Sequence, residues 1–178
     1  MAEPFVDVES LKRVFRTSDS QEKLRLLRAV DDHMGCWDIH PIHTLVAGLL
    51  DVDSEVRIET LQVLLNSPQE LPRFAVSAVL KLVADPAATV RAALLEHLPM
   101  VAFLIDREDV SLILPFLRHK NQHVRDAAIQ ILEWVPEHLN EPHIVTQLID
   151  ACRSEHGAVR HSLAELLISI GQGDLVEP

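Results

Sequence analysis

One seven-residue pattern recurs at a nearly constant interval along this 178-residue chain. Its most regular part is a Val-Arg dipeptide, and the successive arginines lie 34, 34 and 35 residues apart. A degenerate first copy has Lys23 in place of arginine, 34 residues before the next copy. Self-similarity at such an interval is typical of repeat proteins, in which each repeat is one supersecondary unit. The sequence therefore predicts five repeats, whose equivalent basic residues are Lys23, Arg57, Arg91, Arg125 and Arg160.

Each repeat has the pattern of two helices. Apolar residues at helical spacing follow each Val-Arg pair, and turn or N-cap residues such as Asp53, Pro86-Ala87, Asn121 and Ser154 precede it. A second apolar segment lies before each turn, at residues 42–50, 74–83, 110–117 and 144–152. Pro99 and Pro115 fall inside helical patterns, where proline should end or kink the helix. Strand and hairpin signals are nearly absent, so the sequence predicts an all-α chain.

The repeated residues resemble a known family. The Asp-x-x-x-x-Val-Arg pattern of residues 51–57 and 85–91 is similar to that of HEAT repeats, the group that includes the phosphatase 2A scaffold and bilin-lyase-like modules. Residues 107–135 resemble them most, with Val124-Arg125-Asp126-Ala127-Ala128 and a proline in the first helix. The resemblance implies a single domain that forms a right-handed α-α superhelix (solenoid) of about five helical hairpins. These hairpins would cover residues 5–35, 36–68, 69–104, 105–138 and 139–172, followed by a short tail, 173–178.

The five equivalent basic residues are expected to be structural. In the family that this chain resembles, such side chains bond across neighbouring turns and set the pitch of the stack. A guanidinium suits that task because it offers five donors to carboxylates and to carbonyls at helix ends. The functional alternative is a row of arginines that binds an anion.

The composition limits the classes of partner. With 27 acidic and 16 basic residues the formal net charge is -11, which disfavours contact with a phosphate backbone. Aromatic residues are only 4% and tyrosine is absent, so no platform for base stacking is expected. We therefore expect no nucleic-acid partner. The most apolar region, 94–105, is interrupted by Glu96, His97 and Pro99, and no signal segment is recognised, so no membrane association is expected either. Two isolated cysteines suggest a reducing compartment, and the cytoplasm is the expected location.

The second helices carry the predicted binding residues. The fifth residue after each repeated basic residue is polar in every copy, which indicates a solvent-exposed row. Nine residues after it, two copies have Met100 and Trp134 where the other copies have polar residues. Exposed apolar residues of this kind, surrounded by polar ones, are typical of interface hot spots. The alternative is that Trp134 packs into the core beneath the loop at 136–142. The predicted partner-binding residues are Glu59, Gln62, Glu96, Met100, Gln130, Glu133, Trp134 and Glu165.

These residues predict a protein partner. Their excess of acidic side chains would favour a basic segment, and the exposed apolar residues an apolar one. The final helix, 163–170, is apolar on more than one face, so self-association through the C-terminal repeat is a further hypothesis. The first repeat concentrates basic residues and contrasts with the acidic remainder. The favoured function is a non-catalytic protein-protein interaction scaffold, an adaptor or a regulatory subunit, with no cofactor.

An enzyme-associated role remains the alternative. His33, Cys36, His40 and His43 have residue types that suit zinc, although their spacing fits no common zinc template. Resemblance to HEAT-like modules also allows a bilin lyase-type subunit, although no cysteine is identified as the chromophore ligand. No Walker loop, nucleophile elbow or dinucleotide motif occurs in the chain. We therefore predict no catalytic residue and no metal site.

Overall fold

The structure, a computed structural model, describes residues 8–17, 19–31, 39–66, 71–155 and 157–172. Within these ranges all regular secondary structure is helical and no strand occurs, as the sequence predicts. Short 3-10 helices lie at Leu82–Ala84, Leu114–Arg118 and Pro136–His138. The α-helices are α1 (Val8–Thr17), α2 (Ser20–Asp31), α3 (Ile39–Gly48), α4 (Ser54–Leu65), α5 (Arg73–Lys81), α6 (Ala88–Glu96), α7 (Leu98–Leu104), α8 (Arg107–Ile113), α9 (Gln122–Glu133), α10 (Pro142–Ser154) and α11 (Gly157–Ser169).

Two prolines end helices where the sequence predicts it. α6 stops at Glu96, and α7 begins at Leu98 with Pro99 in its first turn. α8 stops at Ile113, and a 3-10 helix of five residues containing Pro115 follows it. Proline lacks a backbone N–H and its ring clashes with the preceding turn, so it is tolerated only where a helix starts. The segment after the third Val-Arg pair is thus two helices rather than one.

Helix starts are set by caps, two of them in the predicted turns. Asp53 accepts the backbone N–H of Glu55 at the start of α4, and Asn121 accepts that of His123 at the start of α9. The cap expected at Ser154 is wrong. Ser154 is the last residue of α10, and its hydroxyl donates to the Ala151 carbonyl inside that helix. α11 instead begins at Gly157, whose φ of 62° is accessible to glycine at little cost.

The chain divides into two compact units. Unit 1 comprises Met1–Leu82 and Ala87–Ala93, and unit 2 comprises Val83–Pro86 and Leu94–Pro178. In unit 1, α1 packs against α2 and α3, α2 against α4, and α3 against both α4 and α5. In unit 2, α9 and α10 each pack against α11, and both also contact the 3-10 helix at Leu114–Arg118. Inside each unit, therefore, a helix contacts its hairpin partner and the equivalent helix of the next hairpin.

The repeated valines explain this packing. Val56, Val90, Val124 and Val159 are all exposed by 2% or less. Their hairpins bury one apolar side against neighbours, which a single helical hairpin of this size cannot do alone. Among the described residues, no helix combines the length and the apolar character that crossing a membrane requires.

Candidate functional site

Neighbouring helices in unit 2 bring part of the predicted binding set together. α9 and α11 lie side by side. Gln130, Glu133 and Trp134 are exposed at the end of α9, and Glu165 is exposed on α11. The side chain of Trp134 is 50% exposed, so it does not form part of the core beneath the 136–142 loop. Residues three and four apart share one side of a helix, which places the α9 residues on a common surface.

We call this surface the second-helix face. Two further exposed side chains of α11, His161 and Ile168, lie three and four residues from Glu165 and complete it. Ile168 is 62% exposed, an unusual position for a large apolar residue. The face therefore consists of Gln130, Glu133, Trp134, His161, Glu165 and Ile168.

The face carries an unbalanced negative charge. Partial burial, followed by repulsion from Glu165, raises the pKa of Glu133 above its ordinary value. The two carboxylates are thus close enough to disfavour each other's charge across the α9–α11 contact. His161 Nε2 lies 3.2 Å from Glu165 Oε1, one helical turn away. A cation from outside would therefore be stabilised here more than at an isolated glutamate.

Sequence reasoning missed Ile168 and His161 as members of the face. The signal for Ile168 is its repeat position, because it stands eight residues after Arg160, as Glu133 stands eight after Arg125. Since Glu133 is exposed, the aligned isoleucine should also be exposed. The comparison fails to generalise to the second repeat, where Leu65 at the same position is buried.

Met100 does not belong to the same row as Trp134. The sequence places both at the end of a second helix, but Pro99 ends that series and Met100 lies on the separate helix α7. Met100 is 43% exposed, and Phe103, three residues further on, is 92% exposed. Phe103 was not predicted, because the expected single long helix gave no basis for its direction. Glu96 is exposed at the last residue of α6.

The remaining predicted binding residues lie in unit 1. Gln62 and Glu59 are partly exposed on α4. Glu59 Oε1 lies 3.6 Å from Arg28 Nε on α2, so the α2–α4 surface has both signs of charge. This pairing distinguishes it from the second-helix face of unit 2, where two carboxylates approach each other.

The repeated basic residues bond to the turns. Lys23 Nζ contacts Asp51 Oδ2 at 2.6 Å, and Arg57 Nη1 donates to the Asp51 carbonyl at 2.7 Å. In unit 2, Arg125 Nη1 donates to the His119 carbonyl at 2.7 Å. Its Nε lies 3.1 Å from Glu155 Oε1 without hydrogen-bond geometry, so this second contact is an ion pair alone. Arg91 is buried, and Arg160 in the last repeat is exposed.

The possible zinc ligands lie largely outside the described residues. This holds for His33, Cys36 and the side chain of His40, so the structure does not test that cluster. His43 is described, and its ring stacks on Phe74 with centroids 4.0 Å apart. The Cys152 thiol is buried and contacts the Arg160 carbonyl. Among the described residues, no group of three or more histidine, cysteine, aspartate or glutamate side chains could hold a metal ion.

A small open cleft in unit 2 is polar but internally paired. Its lining includes Arg107, Glu137, His138, Asn140 and Glu141. The Glu141 carboxylate forms an ion pair with Arg107 and lies 3.0 Å from the Nδ1 of His143. These contacts tie the start of α8 to the start of α10, which is a structural role.

Comparison with known proteins defines the fold only. A scan against models of protein families gives no match, and a comparison with curated proteins gives none either. Among solved structures, the chain is similar to an engineered protein from the Northeast Structural Genomics Consortium, with 17% identity and a TM-score of 0.53. That match covers 96% of this chain and 87% of the engineered one. A second engineered protein from the same consortium matches with 17% identity and a TM-score of 0.49, over 96% of this chain and 89% of its own.

Proposed function

We propose that this chain is a non-catalytic protein-binding module, an adaptor or a regulatory subunit, and that it binds a basic protein segment on the second-helix face. The observation that carries the proposal is the half-exposed Trp134, which directly follows Glu133, on a helix packed against the one that bears Glu165. Tryptophan is enriched among residues that dominate binding energy at protein interfaces. The adjacent carboxylates would select the charge of the segment that approaches it.

The chemistry of the face suits lysine and arginine side chains. Their aliphatic stems can cover the apolar surface of Trp134 and Ile168 while their cationic ends reach the carboxylates. An arginine can also stack on the indole face, a contact worth about 1 kcal/mol at exposed sites. Pairing of opposite charges would speed association at low salt and weaken as salt increases.

A selection from a random displayed peptide library tests this proposal. The bait is the purified chain, and the matched baits are Trp134→Ala and the double variant E133Q/E165Q. We expect the wild type to enrich peptides with several lysines or arginines and an apolar residue. Each variant should bind those peptides at least about tenfold more weakly, as expected for loss of a hot-spot contact. Peptides without basic residues, or equal binding by all three baits, would contradict the proposal.

We also propose that the hairpins are HEAT-like repeats, that all five form one right-handed superhelical domain, and that the protein acts in the cytoplasm. Support comes from the contacts within each unit, where hairpin neighbours pack through equivalent helices. Small-angle X-ray scattering tests the superhelix, because its scattering profile differs from that of two independently tumbling units.

A further inference from the structure

The first hairpin of unit 1 presents a basic surface. Its exposed cationic side chains outnumber the described exposed acidic ones, Asp19 and Glu22. Arg16 and Arg25 form no ion pair with any residue that the structure describes, so their charge is not neutralised locally. This surface stands out in a chain whose formal net charge is -11. We call it the basic hairpin surface, and its exposed cations are Lys12, Arg13, Arg16, Arg25 and Arg28.

The second-helix face has the complementary properties. Glu133 and Glu165 repel each other across the α9–α11 contact, and the nearest described group that could carry positive charge is His161. Trp134 and Ile168 add apolar area beside them. Bringing a cation to two neighbouring carboxylates relieves their repulsion and adds attraction, so the gain exceeds that at a single carboxylate.

We propose that the second-helix face of one copy binds the basic hairpin surface of a second copy, head to tail. This inference rests on the proposed function, because it names the occupant of the same face. Arg16 and Arg25 supply the cations, and Trp134 offers an aromatic surface on which a guanidinium can stack. A second copy is favoured over an unrelated segment because both complementary surfaces belong to this chain and occur in equal numbers.

The arrangement is heterologous, since the two contacting surfaces differ. Each associated copy therefore keeps one unused surface and can bind another copy, until a ring closes or a filament grows. Association should depend on both protein concentration and salt. It should be strongest in about 0.01 M salt, where charges act over about 30 Å, and lost in about 1 M salt, where they act over about 3 Å.

Sedimentation velocity of the purified chain gives the first test. We expect a weight-average mass above that of one copy, increasing with concentration, in the low-salt buffer, and a monomer in the high-salt buffer. A strict monomer at high protein concentration in low salt would overturn the inference. Association that persists in high salt would also overturn it, because apolar contact would then be its cause.

Two neutralised variants identify the surfaces involved. R16Q/R25Q removes charge from the basic hairpin surface, and E133Q/E165Q removes it from the second-helix face. Each variant alone should be monomeric, because it keeps only one competent surface. Mixed together in low salt they should form a dimer that does not grow further, since one interface remains and both outer surfaces are inactive. No dimer in the mixture would refute the pairing of these two surfaces.

Matched controls separate this result from a general effect of charge. K81Q/R153Q and E55Q/D150N change the same number of exposed charges of each sign at other sites. Both controls should associate like the wild type, and far-UV circular dichroism should show unchanged helicity in all four variants. If E133Q/E165Q still loses basic peptides from the library while the wild type stays monomeric, the proposed function stands and only the second copy is the wrong occupant.

Discussion

The ammonium group of Lys23 lies 2.6 Å from the Asp51 carboxylate, and this contact joins the second helix of the first hairpin to the turn that begins α4. Both side chains are largely buried, at 13% and 6% exposure. The same turn also receives the Arg57 guanidinium through the Asp51 carbonyl. Arg125 and Glu155 form a related ion pair between α9 and the residue that follows α10. A cation is therefore kept once per repeat because it fixes one hairpin to the next.

Replacing Lys23 with methionine should destabilise the chain by about 1–3 kcal/mol, because the substitution leaves a buried carboxylate without its cation. Urea denaturation of the wild type and of Lys23→Met measures the change. The double variant K23M/D51N should be less destabilised than the sum of the two single variants, since neither partner is then left alone. Strict additivity would show that the contact contributes nothing.

Gly48 marks a close approach between helices in unit 1. A Cβ atom at this position would lie 2.4 Å from Thr60 Oγ1 on α4 and 2.7 Å from a ring carbon of Phe15 on α1. Thr60 is fully buried and its hydroxyl donates to the Val56 carbonyl, so it has little freedom to move. Only glycine permits this spacing of α3 against its two neighbours.

Gly48→Ala should therefore lower the free energy of unfolding by about 1–3 kcal/mol, the usual cost of overpacking a core. This loss should exceed the gain of up to about 1 kcal/mol that alanine brings to a helix. Chemical denaturation provides the measurement. Ala47→Ser, one residue earlier and exposed, is the control and should stay within about 0.5 kcal/mol of the wild type. A Gly48→Ala variant as stable as the wild type would mean that the neighbours move aside.

The repeat interval predicts the helices well because it reports local and repeated physics. Val56 and its equivalents are buried, and Asp53 and Asn121 cap helices as expected. These features depend on a side chain and its immediate neighbours in the chain. The failures at Ser154 and Met100 also have local causes, namely a turn lengthened by one residue and a helix ended by proline.

The rest depends on contacts between hairpins, which the interval does not encode. The proximity of Glu133 to Glu165 requires α9 and α11 to pack at a particular depth, and nothing in either helix alone specifies it. The close approach at Gly48 likewise involves three helices. Trp134 was left with two interpretations because its burial depends on where the following 3-10 helix runs.

Trp134→Ala should affect binding and stability unequally. Because the side chain is half exposed, its removal should cost within about 1 kcal/mol of stability. Leu132→Ala, two residues earlier in α9 and fully buried, should cost about 2–5 kcal/mol. Thermal unfolding followed by circular dichroism measures both. The opposite ranking would show that Trp134 belongs to the core and would remove it from the second-helix face.

Glu133→Gln should stabilise the chain, but only at pH values where the glutamate is ionised. Folding raises the pKa of Glu133, first through partial burial and then through repulsion from Glu165. The folded chain thus holds this proton more tightly, so Glu133 costs stability as pH increases from its unfolded value, about 4.3, through its raised folded value.

Below that window the wild type and Glu133→Gln should unfold alike, and above it the variant should be more stable by less than about 1 kcal/mol, because solvent screens an exposed charge. Melting temperatures of both proteins across this pH range provide the measurement. In a Glu165→Gln background most of the difference should remain, since burial is the larger cause. A difference that vanishes there would assign the whole effect to the repulsion between the two carboxylates.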